Sequence, residues 1–328
     1  MTLNGNYLQW SGGSKNIKAN TLNINLSLFI MKKKVIFFGG SGFLGKYFCE
    51  NIIKNNHDLT IIDIVKPKIK GKYNFIKADI NHIKSFEKYI KTGSYVFNFA
   101  GWTDIETSNQ NPIKTQQSNI IGNSNILEVC SKVKIKKYIF ASTLYVFSEY
   151  GGFYKSSKQC SEILIKEYSK LYNINYSILR FGSLYGPGAK DGNAIYDLIK
   201  MAYNNKKIVY WGKGDEMRQY IHARDAAKIC ELIIKNKIND KFLLLTGTED
   251  FRITDVIKTI TEMIKFPVKV TYKLNKKSFT HYKNSPFTIP SNFEFKPSLS
   301  EKITFDKFTD LRQGIYECCV DFQKSKIK

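Results

Sequence analysis

The 328-residue chain reads as an α/β protein: a doubly wound parallel sheet followed by a smaller α/β C-terminal lobe. Three observations predict this. Short, wholly apolar runs alternate with stretches of helical spacing; the first run breaks into the glycine cluster Gly39-Gly40-Ser41-Gly42-Phe43-Leu44-Gly45; and the pattern changes from about Ser183 onward. Uniformly apolar runs suit strands covered on both faces, and alternation with helices implies parallel pairing.

Lys34-Val35-Ile36-Phe37-Phe38 is the first such strand, and the segment from Phe43 to Ile53 has the apolar spacing of a helix. A glycine-rich strand-to-helix turn presents backbone N–H groups and the positive end of the helix dipole to an anion. Here Gly39 would allow the tight turn, Gly42 the close approach of a pyrophosphate and Gly45 close helix–strand packing, with Phe43 and Leu44 opening the helix. The second strand, Leu59-Thr60-Ile61-Ile62, ends in Asp63, at the distance expected for a carboxylate that binds the adenosine ribose and repels a 2′-phosphate. NAD is therefore favoured over NADP, which nearby Lys66 keeps as the lesser alternative. A third strand runs from Tyr73 towards Asp79 and Ile80, and a fourth, Tyr95 to Gly101, ends in the small pair Ala100 and Gly101, against which a flat ligand could lie. These ten positions (Gly39, Gly42, Phe43, Leu44, Gly45, Asp63, Asp79, Ile80, Ala100 and Gly101) are candidate cofactor contacts of a Rossmann-type domain.

A fifth strand, Lys137 to Ala141, delivers Ser142 and Thr143, and Tyr154 and Lys158 follow at the start of a helix running towards Leu171. Spacing of four places phenol and ammonium on one helix face. A free tyrosine titrates near about 10, and a neighbouring cation lowers that value. The expected chemistry is proton removal from a sugar-like hydroxyl by Tyr154 as hydride leaves the same carbon for the nicotinamide, with Lys158 supporting the phenolate and Thr143 holding the substrate oxygen. Tyr154 and Lys158 would also touch the cofactor.

With these motifs in this order, residues 34–320 resemble the extended short-chain dehydrogenase/reductases, specifically the NAD-dependent nucleotide-sugar epimerases, dehydratases and reductases. Three further segments carry the resemblance: Asn119 to Glu128, a helix after the fourth strand; Leu179-Arg180-Phe181-Gly182-Ser183-Leu184-Tyr185-Gly186-Pro187-Gly188, leading into the substrate lobe; and Gly212-Lys213-Gly214-Asp215-Glu216-Met217-Arg218 with Tyr220-Ile221-His222 and Asp225-Ala226-Ala227. The resemblance implies Phe181 as a cofactor neighbour, and Thr143, Ser183 and Arg218 as substrate contacts, Arg218 at the diphosphate. It also implies a homodimer through the helix of the Tyr/Lys motif and the one before it. Three departures stand out: Leu144-Tyr145 replaces the Asp-Glu pair of the dehydratases, ten residues separate Thr143 from Tyr154 where most relatives have a longer loop, and Ser183 replaces Asn.

Composition agrees with a catalytic domain of this size. Net charge is +23 with only five arginines and no basic block, so the excess reads as a lysine-rich solvated surface, helpful for an anionic nucleotide-diphosphate sugar. A nucleic-acid-binding module, the alternative class, would leave Asp63, Tyr154 and Lys158 as accidents, so no nucleic-acid partner is expected. Six scattered cysteines and four histidines form no metal signature; Cys130 and Cys160 read as core residues and His222 as a packed or surface histidine. Residues 1–30 read as a disordered extension, with Met31 as a natural start, and Leu26 to Ile30 is too short to cross a bilayer. The expected location is cytoplasmic, with no membrane partner.

The domain boundaries expected are 31–182 for the NAD-binding domain and 183–328 mainly for substrate binding. In the second part Asn193 to Tyr203 and Ala226 to Lys235 read as helices, Ile208 to Trp211 and Phe242 to Leu245 as strands, and a helix after Gly247 is expected to be capped by Thr254. Past Phe266, with prolines at 267, 286, 290 and 297, no element is legible. The function expected is hydride transfer at C4 of a nucleotide sugar in surface-polysaccharide biosynthesis. Returning the hydride to the opposite face gives a 4-epimerase, releasing the keto sugar gives a 4-dehydrogenase, and the reverse gives a 4-ketoreductase, for instance on a GDP-heptose. A non-catalytic dinucleotide sensor is the remaining alternative.

Overall fold

Six strands, β1 (Lys34–Phe38), β2 (Asp58–Asp63), β3 (Asn74–Lys77), β4 (Tyr95–Asn98), β5 (Lys137–Thr143) and β6 (Tyr176–Phe181), form most of one parallel sheet. Lys241–Leu245 and Glu301–Lys302 extend it to eight strands, giving the order β3-β2-β1-β4-β5-β6 and then these two. The computed structural model describes residues 32–236, 238, 241–274 and 297–327. The expected extension over 1–30, and Pro286 and Pro290, lie outside the described residues.

Alternate residues of each strand feed opposite apolar layers, as the period of two requires. Val35, Phe37, Leu59, Ile61 and Phe97 pack on one face against Phe48 and Ile52 of the helix Phe43–Lys54 and against Ile229 and Ile233 of a later helix. Ile36, Phe38, Ile62, Val96 and Phe140 pack on the other against Ile126, Leu127 and Cys130 of the helix Gly122–Lys132 and against Ile165 of the helix Gly152–Tyr172. Both faces being covered explains the uninterrupted apolar runs. At roughly 1.5–3 kcal/mol per fully buried large side chain, these layers carry most of the driving force for folding. Among the described residues, no helix is long and apolar enough to cross a membrane.

The strand order reverses between β1 and β4, so their carboxyl ends open a crevice where α/β sheets bind ligands. A third apolar layer gathers Tyr185, Ile195, Ile199, Ile208, Ile257, Ile260, Ile315 and Phe322. It joins the helices Ala194–Asn205, Ile253–Glu262 and Leu311–Ile327.

Two features of this later part differ from expectation. Thr254 does not cap its helix, which begins at Ile253 after Arg252. The short antiparallel pair Phe251–Arg252 with Met217–Arg218 leads directly into that helix, and its first N–H groups are met by carbonyls: Ile253 donates to Glu216 O at 3.1 Å and Thr254 to Gly214 O at 3.0 Å. With those donors satisfied, no side-chain cap is needed. The stretch past Phe266 also contains the strand Lys269–Lys273, parallel to Lys207–Trp211, and the C-terminal helix. The strand's Val270-Thr271-Tyr272 core is β-forming but only three residues long between lysines, too short a run to stand out in the sequence.

Gly247 is held against the backbone of Tyr220, where an added Cβ would stand 2.2 Å from the carbonyl oxygen. Neither group can yield without moving a strand, so Gly247→Ala is expected to cost about 1–3 kcal/mol, read as a lower urea midpoint with unchanged m-value.

Candidate active site

The glycine turn is built by backbone contact. Gly39 has φ +81°, and a Cβ there would lie 2.5 Å from Ala100 N. A Cβ at Gly45 would lie 2.1 Å from Gly39 O, so the helix can approach β1 only because both residues are glycine. Gly42 differs, since its Cβ would meet only Gly39 O, at an ordinary 3.4 Å. The room above Gly42 therefore lies open on the side where a ligand would approach. The helix begins at Phe43 with no side-chain cap on Gly42, which leaves its first N–H groups directed out of the turn. The side chains of Phe43 and Leu44 turn away from it: Phe43 meets the Tyr47 ring edge-on and Leu44 packs on the first apolar layer.

Asp63, at the end of β2, is tied to the same turn. Its Oδ2 accepts from Ser41 N at 2.9 Å and its Oδ1 from Val65 N at 3.3 Å. Asp79 follows β3, where its Oδ1 accepts from the backbone and side-chain nitrogens of Asn81 at 2.9 and 3.0 Å. Ile80 turns its side chain into the core against Gly122. Ala100 and Gly101 lie beyond β4, Gly101 at φ +147° with an added Cβ 2.5 Å from Asn119 Oδ1. Asn119 Oδ1 accepts from Trp102 N at 2.7 Å, and Asn119 Nδ2 donates to Trp102 O at 2.9 Å and to Ser157 Oγ at 2.8 Å. It does so from a π-turn, Gln117–Ile121, inside the helix after β4. This side chain, absent from the candidate residues, ties the crevice wall to the helix Gly152–Tyr172; the turn that aims it has no sequence signature.

Thr143 ends β5, buried, and its Oγ1 accepts from Tyr145 N at 3.2 Å. Tyr154 and Lys158 are on the first turns of the helix Gly152–Tyr172. The short connection from Thr143 closes through Gly151 and Gly152, at φ +104° and +49°, and Asn109 Oδ1 accepts from Phe153 N at 3.0 Å to hold the helix end. The buried Lys158 ammonium donates to Ala141 O at 2.8 Å and lies 4.7 Å from the Phe140 ring and 6.0 Å from the Tyr154 ring. Burial pushes Lys158 down to about 8, and the Glu162 carboxylate pulls it back up.

Tyr154 differs from the sequence expectation of a lowered pKa. Desolvation pushes its phenol up to about 12, against a hydrogen bond from Thr143 that works the other way. The Lys158 ammonium donates to the Ala141 carbonyl, 6.0 Å from the Tyr154 ring. Phe181, buried at the end of β6, meets the rings of Phe48 and Phe99 at 5.9 and 6.0 Å. Ser183 is half-buried on a strand paired with Tyr220–His222, two residues beyond Arg218. Arg218 is buried, and its Nη1 donates to Met217 O at 2.8 Å. His222 is packed between Tyr47 and Tyr185 and held neutral, pushed down to about 4 by burial and by the Arg224 guanidinium.

The open face of Gly42, the uncapped helix start and the carboxylate of Asp63 fit a dinucleotide, and comparison with known proteins agrees. The family model for the NAD dependent epimerase/dehydratase family matches residues 35–243. A Methanocaldococcus jannaschii protein with a provisional UDP-glucose 4-epimerase name is 30% identical over 253 residues, covering 68% of this chain and 81% of the relative. The UDP-N-acetyl-alpha-D-glucosaminuronate decarboxylase of Bacillus cytotoxicus is 27% identical over 315 residues, covering 88% and 97%. Among solved structures, the UDP-N-acetylglucosamine 4-epimerase of Methanobrevibacter ruminantium superposes with a TM-score of 0.71 at 22% identity, covering 90% of this chain and 99% of that one, a likeness of fold. The chain belongs to the NAD-dependent epimerase/dehydratase family, and its cofactor is NAD.

Lys158 makes the site costly to the ligand-free protein. Its folded value, about 8, lies below the ordinary 10.5, so between those values the unfolded chain holds the proton that the native state has lost. The cost is complete below pH 8, shrinks as pH rises through that window and is gone above it. Lys158→Met is expected to stabilise the ligand-free protein by on the order of 2 kcal/mol at pH 7 and much less at pH 10, measured by chemical unfolding at both.

Proposed function

We propose that this enzyme oxidises the C4 hydroxyl of a UDP-sugar with Tyr154 as base, and that the product is most simply the 4-epimer, made for surface polysaccharides. The observation that carries the reading is the convergence of Thr143, Tyr154 and Lys158 beside a glycine turn that fits NAD. When bound, NAD would supply the hydride acceptor and a positively charged ring that favours the phenolate.

The remaining work belongs to the chain. Thr143 holds the sugar hydroxyl and Tyr154 takes its proton. Lys158 and the positive ring of the bound cofactor would together stabilise the resulting charge, against the desolvation that holds the phenol at about 12. Arg218 and Ser183 receive the diphosphate end. The two positions directly after Thr143, where dehydratases carry Asp-Glu, supply no carboxylate: Leu144 is buried against Val146, Phe147 and Leu244, and Tyr145 follows. Elimination of water across C5 and C6 needs an acid and a base there, so 4,6-dehydration is disfavoured.

A second reading has a specific support. The decarboxylase relative matches over more of both chains than the provisional epimerase does. Oxidation at C4 of a sugar carrying a C6 carboxylate places a ketone β to that carboxylate, which then leaves as CO2 without further catalytic groups. The same three residues would serve either outcome.

A homodimer is part of the proposal. Ile121 is 52% exposed, and Ile163 and Leu171, two turns apart on the catalytic helix, are 45% and 74% exposed. The two helices lie side by side, joined by a hydrogen bond from Tyr168 Oη to Glu128 Oε2 at 3.3 Å. Pairing two such faces would bury these apolar residues in a four-helix arrangement.

Three experiments test these statements. UDP-glucose, UDP-N-acetylglucosamine and their uronates are incubated with protein and NAD and followed by NMR and mass spectrometry. A new stereoisomer of unchanged mass supports epimerisation, loss of CO2 the second reading, and an unchanged panel counts against both. Tyr154→Phe is expected to reduce turnover at least about a thousandfold while NAD binding persists; full activity in that variant would sink the mechanism. Light scattering is expected to give a dimer for the native chain and a monomer for Leu171→Glu, and a monomeric native chain would overturn the interface.

A further inference from the structure

Glu162 lies one turn beyond Lys158 on the catalytic helix and is 2% exposed. Its Oε1 accepts from Ser142 Oγ at 2.6 Å and from Arg180 Nε at 2.9 Å, and its Oε2 from Arg180 Nη2 at 2.5 Å. Ser142 immediately precedes Thr143 in β5, and Arg180 immediately precedes Phe181 in β6. Arg180 is itself fully buried, between the rings of Phe147 and Phe242 at 4.6 and 4.5 Å. Its Nη1 donates to Ser298 O and Ser300 Oγ at 2.5 and 2.9 Å. The elements that carry Thr143, Tyr154 and Lys158 thus meet at one carboxylate.

A buried ion pair is a poor device for stability, because desolvation offsets its attraction and an apolar pair of equal volume does as well. The use of this pair lies in what it aligns. We propose that Glu162, held by Arg180, is a positioning residue that fixes the Tyr154 and Lys158 helix against the Thr143 strand and supplies the negative charge that keeps the Lys158 ammonium protonated. This rests on the reading of Thr143, Tyr154 and Lys158 as the reacting set.

The surroundings of Lys158 leave Glu162 as its source of negative charge. Its own helix presents Tyr154, neutral at pH 7, and Glu162. From β5 come only the Ala141 carbonyl and the Phe140 ring, and from β6 the Arg180 cation behind Glu162. Glu162 therefore faces two cations. Arg180 orients its carboxylate, and the helical spacing of four brings it to the same face as Lys158.

The test reads Lys158 directly. Full-length protein labelled with 13C at lysine Cε is titrated by NMR, and the Lys158 signal is identified by its loss in Lys158→Met. The native midpoint is expected near 8. In Glu162→Gln it should fall by about one unit or more, because a cation remains and its anion is gone. Glu162→Gln combined with Arg180→Met removes both charges, avoids a lone buried cation and should fall by less. Midpoints unchanged in folded variants, with only the melting temperature lowered, would overturn the charge assignment.

Ser142→Ala loosens strand from helix without altering charge. On whichever sugar the panel identifies, it should lower kcat about tenfold with KM and NAD affinity unchanged, and an unaltered kcat would overturn the positioning role. Activity retained in Tyr154→Phe would instead refute the underlying reading, and it leaves the Lys158 midpoints as they are.

Discussion

A buried ammonium is the constraint around which the catalytic side of this protein is arranged. Lys158 is 3% exposed, and placing a cation there is unfavourable unless the interior answers it. The answer comes in successive layers. The Ala141 carbonyl and the Phe140 ring are its partners, and Glu162 supplies opposite charge. Glu162 in turn needs its oxygens filled, which Ser142 and Arg180 do, and Arg180 needs the 298–300 segment. One positive charge thus dictates the packing of β5, β6 and a segment more than a hundred residues further along the chain.

The cofactor side obeys a different rule, the distance of closest approach between backbones. Gly39 and Gly45 are in contact and admit no side chain, whereas a Cβ on Gly42 would meet only Gly39 O, at 3.4 Å. The first two glycines serve the fold and the third leaves room for a ligand. The helix Gly152–Tyr172 shows the same economy at its start: two glycines with positive φ make the short connection from Thr143, and Asn109, from the helix Ile105–Gln110, accepts from Phe153 N.

Much of this was legible beforehand because the signals are local. Apolar runs gave the strands of the main sheet, the glycine spacing gave the turn, and the spacing of four gave the Tyr154 and Lys158 face. Local rules failed where a distant partner decides. Thr254 has the chemistry of a cap, but carbonyls of Gly214 and Glu216 already satisfy the helix start. Lys269–Lys273 is a short β-forming run between lysines whose place is decided by its pairing with Lys207–Trp211. Asn119 is an ordinary helical asparagine until a π-turn aims it at Trp102 and Ser157. Glu162 had a weak signal, four residues past Lys158, but its partners Ser142 and Arg180 lie on two other strands.

The sequence by itself determined the class of protein, the cofactor and the candidate reacting side chains, since each depends on residues within a few turns of one another. Only the tertiary structure decided how those side chains are charged and held. Desolvation outweighs the helical neighbour at Tyr154, and a carboxylate shared between β5, β6 and the catalytic helix sets the environment of Lys158. Burial and long-range charge are properties of the packed chain, because they depend on which distant residues exclude water and which oppose each charge.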